Sequence, residues 1–244
     1  MSRKGYEFFD NEEVLKTYTS RRQSSTSPNE TIEAPIFRDL IGEIRGLDVL
    51  DLGCGEANFA QELLEKGARS YVGLEASGRM ASLAEEKVSG LNAQVVRSTV
   101  EDYDFAPTSF DLAVSRLVLH YVEDLSQTFG RVYETLKPNG RFIFSVEHPV
   151  ITSYSQSLEI SERRTAWLVD GYFKTGERVV PWMSKEVTKY HRTVEDYFSA
   201  LQGAGFTVER LREPRPRQEN SVDAEEYERR LRIPLFIFLA ARKP

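Results

Sequence analysis

A single cysteine, Cys54, stands among 244 residues, and there are only three histidines. No intramolecular disulfide can form, and no Cys/His cluster has metal-ligand spacing, so the expectation is no metal. Long apolar runs are missing too. Nothing approaches the ~18 residues of a membrane span, and Met1–Tyr6 lacks the apolar core of an export signal. These absences point to a cytoplasmic protein with no membrane partner. Positive charge is in deficit: 32 Lys and Arg face 38 Asp and Glu, for a net charge of −6. Phosphate binding needs a basic surface, so the balance argues against a nucleic-acid partner. What is present is ordinary for a globular chain, with 40% hydrophobic and 29% charged residues. The length suits one α/β domain over 1–244 with an elaborated cap.

The informative segment is Val49-Leu50-Asp51-Leu52-Gly53-Cys54-Gly55-Glu56-Ala57, a buried strand ending in an acidic, glycine-rich turn. A helical pattern follows from Glu56 to Lys66. Glycines at such a turn let the backbone pass close to a ligand. A Gly-x-Gly after a strand is shared by nicotinamide, flavin and S-adenosylmethionine (SAM) sites. A dinucleotide fingerprint wants a third glycine at position 58, where Asn58 stands. Asp51 would put a carboxylate beside the ligand, unfavourable next to phosphate and favourable next to an ammonium. SAM, with an α-amino group and no phosphate, satisfies that charge logic.

Asp51-x-Gly53-x-Gly55 resembles motif I of class I SAM-dependent methyltransferases, and the likeness continues along the chain. Tyr71-Val72-Gly73-Leu74-Glu75 is similar to the second strand, with Glu75 at the position that accepts both ribose hydroxyls. Val96–Asp102 resembles the adenine-binding turn, with Thr99 where Asp or Asn is usual, so Glu101 or the backbone around Val100 is left for that contact. Phe110–Ser115 resembles strand four, and Leu136–Phe142 the turn into strand five. Ala57 replaces a frequent third glycine, a change that a displaced backbone absorbs. The resemblance, to the small-molecule type 11 branch, implies SAM as cofactor. It places Asp51, Gly53, Cys54, Gly55, Glu75, Ala76, Met80, Thr99, Val100, Glu101 and Ser115 around it. Tyr18 and the pair Arg21-Arg22 resemble a Tyr and Arg that close over the methionine end. The plain alternative for the arginines is a solvated surface pair.

Strand and helix signals alternate, with strands near 48–52, 70–74, 94–97, 110–115 and 140–147. Met80, Leu83, Ala84 and Val88 share one helical face, and Leu125, Phe129, Val132 and Leu136 another. The alternation predicts right-handed βαβ units and a Rossmann-like, doubly wound sheet. The resemblance makes that sheet seven-stranded and mostly parallel, with the last strand antiparallel. Glu12–Tyr18 reads as a short helix, residues 20–31 as a mobile connector, and Ile36, Phe37, Leu40, Ile41 and Ile44 as one helical face. Together 1–34 form an N-terminal cap segment. Thr193-Val194-Glu195-Asp196 starts a capped helix ending at Gly203-Ala204-Gly205. Phe206–Leu211 and Ile233–Ala240 are closing strands joined by a long charged loop. Between strand five and the capped helix, 150–191 is an aromatic insertion, read as a substrate lid.

Methyl transfer needs a base only if the acceptor arrives protonated. His120 and His148 follow strands four and five, at the edge where ligands bind in open α/β sheets, and an ordinary imidazole pKa suits the task. Each has a structural alternative: packing for His120, a rigid Glu147-His148-Pro149 turn for His148. His191 ranks third and, with Tyr121, Trp167, Tyr172 and Trp182, belongs to the expected acceptor pocket. The aromatics fit lid packing equally well. Cys54 reads as a small packing residue rather than a nucleophile, and its place excludes a cysteine route to cytosine C5. No Asp/Asn-Pro-Pro-Tyr/Phe follows strand four, and no paired-glutamate loop is present, so nucleobase-amine and arginine acceptors are disfavoured. The expectation is methyl transfer to a small molecule at oxygen, nitrogen or carbon by a monomer or homodimer. A non-catalytic SAM-binding module, or a peptide or protein acceptor, is the alternative.

Overall fold

The computed structural model describes residues 5–22, 24, 26–154, 167–182, 185–221 and 223–244. Outside them fall residues 1–4 of the cap segment, Gln23 and Ser25 of the connector, 155–166 and 183–184 of the insertion, and Val222 of the charged loop. The side chain of Arg21 does too.

Alternation of apolar runs and amphipathic helices produces the expected doubly wound sheet. Its parallel strands are β1 (Asp48–Leu52), β2 (Ser70–Glu75), β3 (Ala93–Arg97), β4 (Phe110–Arg116) and β5 (Leu136–Glu147). The closing pair is β8 (Thr207–Arg212) and β9 (Phe236–Arg242). Among the described residues these seven lie in the order β3-β2-β1-β4-β5-β9-β8, with β9 antiparallel to both its neighbours. The order reverses between β1 and β4, which leaves a crevice at their carboxyl ends. Register brings those ends together, since Asp51 pairs with Gly73 of β2 and with Val114 of β4.

Helices α3 (Ala34–Ile41), α4 (Asn58–Glu65) and α5 (Gly78–Val88) cover one face of the sheet. Helices α6 (Leu125–Thr135) and α8 (Val194–Gly203) cover the other. α8 opens with a full capping box between Thr193 and Asp196. The apolar face of α5 is Met80, Ala81, Ala84 and Val88, whereas Leu83 is 41% exposed: Ala81 takes the inward position. The charged span after β8 is no simple loop. Asp223 caps α9 (Ala224–Leu231), where Glu226 pairs with Arg229 and Arg230, the i,i+3 and i,i+4 spacing that supports a solvated helix.

A roof lies over the crevice. It is built from α1 (Gly5–Phe9), α2 (Glu12–Arg22) and the hairpin of β6 (Gly176–Trp182) and β7 (Lys185–His191) inside the insertion. Phe8, Val14, Val180 and Val187 bury together between these elements. At about 1.5–3 kcal/mol for each fully buried side chain, this cluster outweighs the polar tethers around it. Those tethers are Thr19 donating to Glu56 (2.6 Å) and Ser77 donating to Asp10 (2.8 Å). The expected connector at 20–31 is largely helical instead. α2 runs to Arg22, and a π-helical turn at Asn29–Glu33 leads into α3. Buried Ile32 and Glu33 supply the tertiary contacts that override a polar, turn-rich composition. No helix among the described residues is long and apolar enough to cross a membrane.

Candidate functional site

Past Leu52 the backbone turns through Gly53 (φ +80°) and Gly55 (φ +59°). The Gly53 and Cys54 N–H groups both donate to the Leu74 carbonyl (2.9 and 2.8 Å), drawing the turn against β2. A Cβ on Gly53 would collide with Val118, so position 53 is closed to any other residue on two counts. Ala57, where a displaced backbone was expected, instead takes the left-handed conformation itself (φ +53°) at the start of α4. That conformation costs a non-glycine residue about 1–3 kcal/mol, strain stored beside the crevice.

Two carboxylates close this end. Glu75, at the tip of β2, accepts from Gly55 N–H (2.9 Å) on one oxygen and from Ser77 N–H (2.8 Å) on the other. Burial pushes its pKa up to about 7 against those hydrogen bonds. Asp51 is 3% exposed and accepts from the Tyr71 hydroxyl through Oδ2 (2.7 Å), while Oδ1 has no partner among the described residues. Burial raises Asp51 to about 6, and the Tyr71 hydroxyl and the Arg116 and Arg22 guanidiniums restrain the rise. An orphaned, desolvated carboxylate oxygen calls for a donor or a cation.

The guanidiniums face the same space. Arg22 donates to the Tyr18 hydroxyl (2.7 Å). Arg116, ending β4, is clamped by Glu33, which is fully buried and also accepts from Ser145 (2.7 Å). The Arg116 plane lies against the Phe37 and Phe59 rings, 5.4 and 5.0 Å from their centroids. Its Nη1 makes no hydrogen bond among the described residues.

One cavity of about 680 Å³ joins this polar end to an aromatic compartment under the roof. That volume lies inside the ~300–1,000 Å³ range of small-molecule and cofactor sites. Its walls include Asp51, Gly53, Cys54, Gly55, Glu75, Ala76, Met80, Thr99, Val100, Glu101, Tyr18, Arg22, His120, Tyr121 and Trp182. Thr99 is turned into its own loop, its hydroxyl donating to the Asp102 carboxylate (2.7 Å) and accepting from Asp102 N–H (3.0 Å). The lining residues not expected at the site include Arg116, Glu147 and Phe9. The last packs edge-on against Tyr18, Tyr121 and Trp182.

Five expected residues lie outside the lining. Ser115 is buried and donates to the Leu52 carbonyl (2.9 Å), tying β4 to β1. His148 accepts from Val150 N–H at the start of α7 (Pro149–Thr152) and donates through Nε2 to Glu213 (2.8 Å), so both nitrogens are committed. Glu147, the last residue of β5, takes the cavity side instead. His191 is fully buried, bonded to the Thr152 hydroxyl (2.8 Å) and the Tyr172 carbonyl (2.9 Å). Tyr172 packs on that imidazole, and its hydroxyl accepts from Val194 N–H (3.2 Å). Trp167 is half-buried away from the site. These contacts assemble the hairpin base.

His120 does line the cavity, but its environment is not that of a base near neutrality. It is 2% exposed, Nδ1 has no partner among the described residues, and burial lowers its pKa to about 3. The ring therefore stands neutral across the physiological range. In an NMR titration its C2 proton is expected to hold a constant shift from pH 5 to pH 8. A midpoint between 5.5 and 7.5 would return His120 to the list of bases. Among the described residues no group of acidic, His and Cys side chains is arranged to hold a metal.

A family model described as a methyltransferase domain matches residues 50–144, the stretch from β1 through most of β5. The crystal structure of an S-adenosylmethionine-dependent methyltransferase from Mesorhizobium loti is 35% identical. It superimposes with a TM-score of 0.80 over 86% of this chain and 97% of its own. An uncharacterized protein of Haemophilus influenzae is 28% identical over 96% of both chains. A demethylmenaquinone methyltransferase of Lactococcus lactis is 25% identical over 69% of both. With 35% identity to the Mesorhizobium loti methyltransferase over 86% of its length, the chain belongs to the class I SAM-dependent methyltransferases.

Proposed function

We propose that the protein methylates a small-molecule acceptor, at oxygen, nitrogen or carbon, inside the cavity between the sheet edge and the roof. The observation that carries this reading is the continuity of one cavity. It runs from a cradle of charges suited to an amino-acid end into a compartment walled by aromatic rings. The demethylmenaquinone methyltransferase among the relatives supports a small acceptor.

The residues present fit SAM. The orphaned Asp51 oxygen would receive the ammonium, and Arg22 and Arg116 offer N–H groups to the carboxylate. Glu75, already braced on two N–H groups, keeps lone pairs for the ribose hydroxyls. The 99–101 turn lies where adenine would sit, with backbone and Glu101 rather than the engaged Thr99 side chain making the contact. Bound there, SAM supplies a methyl group on a carbon that already carries its leaving group. The protein's share is alignment and exclusion of water, which in favourable cases lower a barrier by several kcal/mol. The roof does both, and we read the hairpin with α1 and α2 as the acceptor lid. Neutral His120 serves as a hydrogen-bonding group at that lid's floor.

A second reading has one observation in its favour. Leu168, Val169 and Phe173, on the insertion, are 49%, 49% and 87% exposed, as a protein-binding surface would be. Calorimetry with SAM, followed by methyl transfer to a panel of small hydroxyl and amine compounds, separates the two. Tight binding with turnover on a small compound supports the first reading. Tight binding with no small-molecule turnover, and labelling of protein instead, overturns it.

A further inference from the structure

Asp51 meets the cavity with one carboxylate oxygen already engaged from within the sheet. Tyr71, buried and outside the cavity lining, donates its hydroxyl to Oδ2 (2.7 Å), while Oδ1 is buried with no partner among the described residues. The strands fix this contact. Register pairs Asp51 with Gly73, and Tyr71 stands two residues before that glycine, on the same face of β2. A Cβ on Gly73 would lie 2.9 Å from Tyr71 Cε1 and 2.7 Å from Cys54 Sγ. The missing side chain is thus the space through which the tyrosine ring crosses toward β1 and reaches Asp51.

Packing alone does not account for the hydroxyl. The ring belongs to an apolar cluster with Val49, Ala57 and Ala84, where phenylalanine would bury the same carbon surface with no polar atom to satisfy. What the hydroxyl adds falls on Asp51. Around that carboxylate, Arg116 of β4 and Arg22 of α2 favour the ionised form. Burial, Glu33 ahead of α3 and Glu75 at the end of β2 oppose it, and burial keeps the Cys54 thiol of the turn protonated. The Tyr71 hydrogen bond is the strongest of the influences that lower the Asp51 pKa, as suits a donor in direct contact. Such a bond is stronger to an ionised carboxylate than to a neutral one. It therefore holds Asp51 in the form that an ammonium needs, in the rotamer that leaves Oδ1 over.

Resting on the reading of Asp51 as the partner of the ligand ammonium, we propose that Tyr71 is a positioning residue for the amino-acid end of the cofactor. Its hydroxyl fixes the Asp51 carboxylate, ionised and with Oδ1 left for the ammonium. It thereby sets how strongly the site prefers a ligand that carries an amino acid over the bare nucleoside.

Calorimetry with two ligands tests this: S-adenosylhomocysteine, and 5′-methylthioadenosine, the nucleoside thioether without the amino-acid end. The ratio of their affinities cancels the ribose and adenine contacts, Glu75 included, and leaves the amino-acid end. In Tyr71→Phe the ratio at pH 7 is expected to fall about tenfold, the value of one hydrogen bond to a charged group, with 5′-methylthioadenosine binding unchanged. The ionised carboxylate is the binding form, so the ratio declines as pH drops. That decline, near pH 6 in the wild type, should begin about one unit higher in the variant, the same tenfold expressed as a pKa. In an Asp51→Asn background, Tyr71→Phe should lower the ratio no further. Should Tyr71→Phe fail to fold, Tyr71→Met, an apolar side chain that adapts to irregular space, carries the same expectations. Equal losses for both ligands would show that the hydroxyl serves the turn, and an unchanged ratio that it serves neither; each overturns the proposal. Asp51→Asn alone separates that failure from the reading beneath it. A wild-type ratio there would mean that the ammonium does not meet Asp51, and the proposal falls with that reading. A lowered ratio there beside an unchanged one in Tyr71→Phe rejects the role of Tyr71 only.

Discussion

Replacing Glu75 with alanine is expected to raise the Kd for S-adenosylhomocysteine by about 10- to 100-fold, from 1.5–3 kcal/mol for hydrogen bonds to a charged group. The side chain acts twice. It offers lone pairs to the ribose, and it pins the glycine turn through Gly55 and the start of α5 through Ser77. The same carboxyl brings a pH dependence. Its pKa of about 7, and that of about 6 for Asp51, are raised chiefly by burial. Both are acids raised above their unfolded values. The stability they contribute is fully present below about pH 4 and is lost as pH rises through 6 to 7. Ligand binding runs the opposite way, because the ribose and the ammonium call for the ionised forms. Affinity should therefore fall as pH drops from 8 to 6, more steeply once Asp51 joins Glu75. Calorimetry at stepped pH on the wild type and on Asp51→Asn, Glu75→Gln checks both signs. A wild-type Kd flat across that window, or an unaltered Kd in Glu75→Ala, would mean that the carboxylates serve the turn and not the ligand.

How far the chain can be read without coordinates follows from the range of each signal. The turn at 53–55, the acid twenty residues on at Glu75 and the alternation of strands and helices are local or evenly spaced. They were legible because backbone geometry at a βα turn leaves few residue choices. The strand count and the antiparallel last strand came with the resemblance, and the observed sheet agrees. The roof was not legible in the same way. Residues 20–31 look like a connector, yet Glu33 anchors their end on Arg116 and Ser145, partners 83 and 112 residues away that no window can see. The acceptor end failed on a finer scale. Glu147 ends β5 and His148 follows it as the cap of α7, so the carboxylate lines the cavity and the imidazole is spent on the helix start. His120 lines the cavity, at the edge expected for it, in surroundings that the sequence did not convey. A sequence carries no measure of desolvation, the term that lowers its pKa to about 3.

Glu33→Ala is expected to be the most damaging substitution for stability, at about 3–5 kcal/mol, because it strands a buried guanidinium. Glu33 is wholly buried and the Arg116 side chain 10% exposed, so solvent cannot take over the lost contacts. The rings of Phe37 and Phe59 hold Arg116 in place, and the Ser145 hydroxyl loses its acceptor at the same time. The pair is not itself a large source of stability, since both ions were stripped of water to form it. Arg116→Met together with Glu33→Ala should therefore recover much of the loss, leaving a deficit from the smaller volume. Its purpose lies in placement: it ties the segment that leads into α3 to the carboxyl end of β4 and leaves one edge of Arg116 toward Asp51. The double variant should accordingly fold and bind S-adenosylhomocysteine more weakly than the wild type, since one of two guanidiniums near that carboxylate is gone. Denaturant unfolding of the single and double variants, with calorimetry on the double, tests both halves. A single-variant loss below about 1 kcal/mol would show that water reaches Arg116 and that the segment leading into α3 is not anchored there.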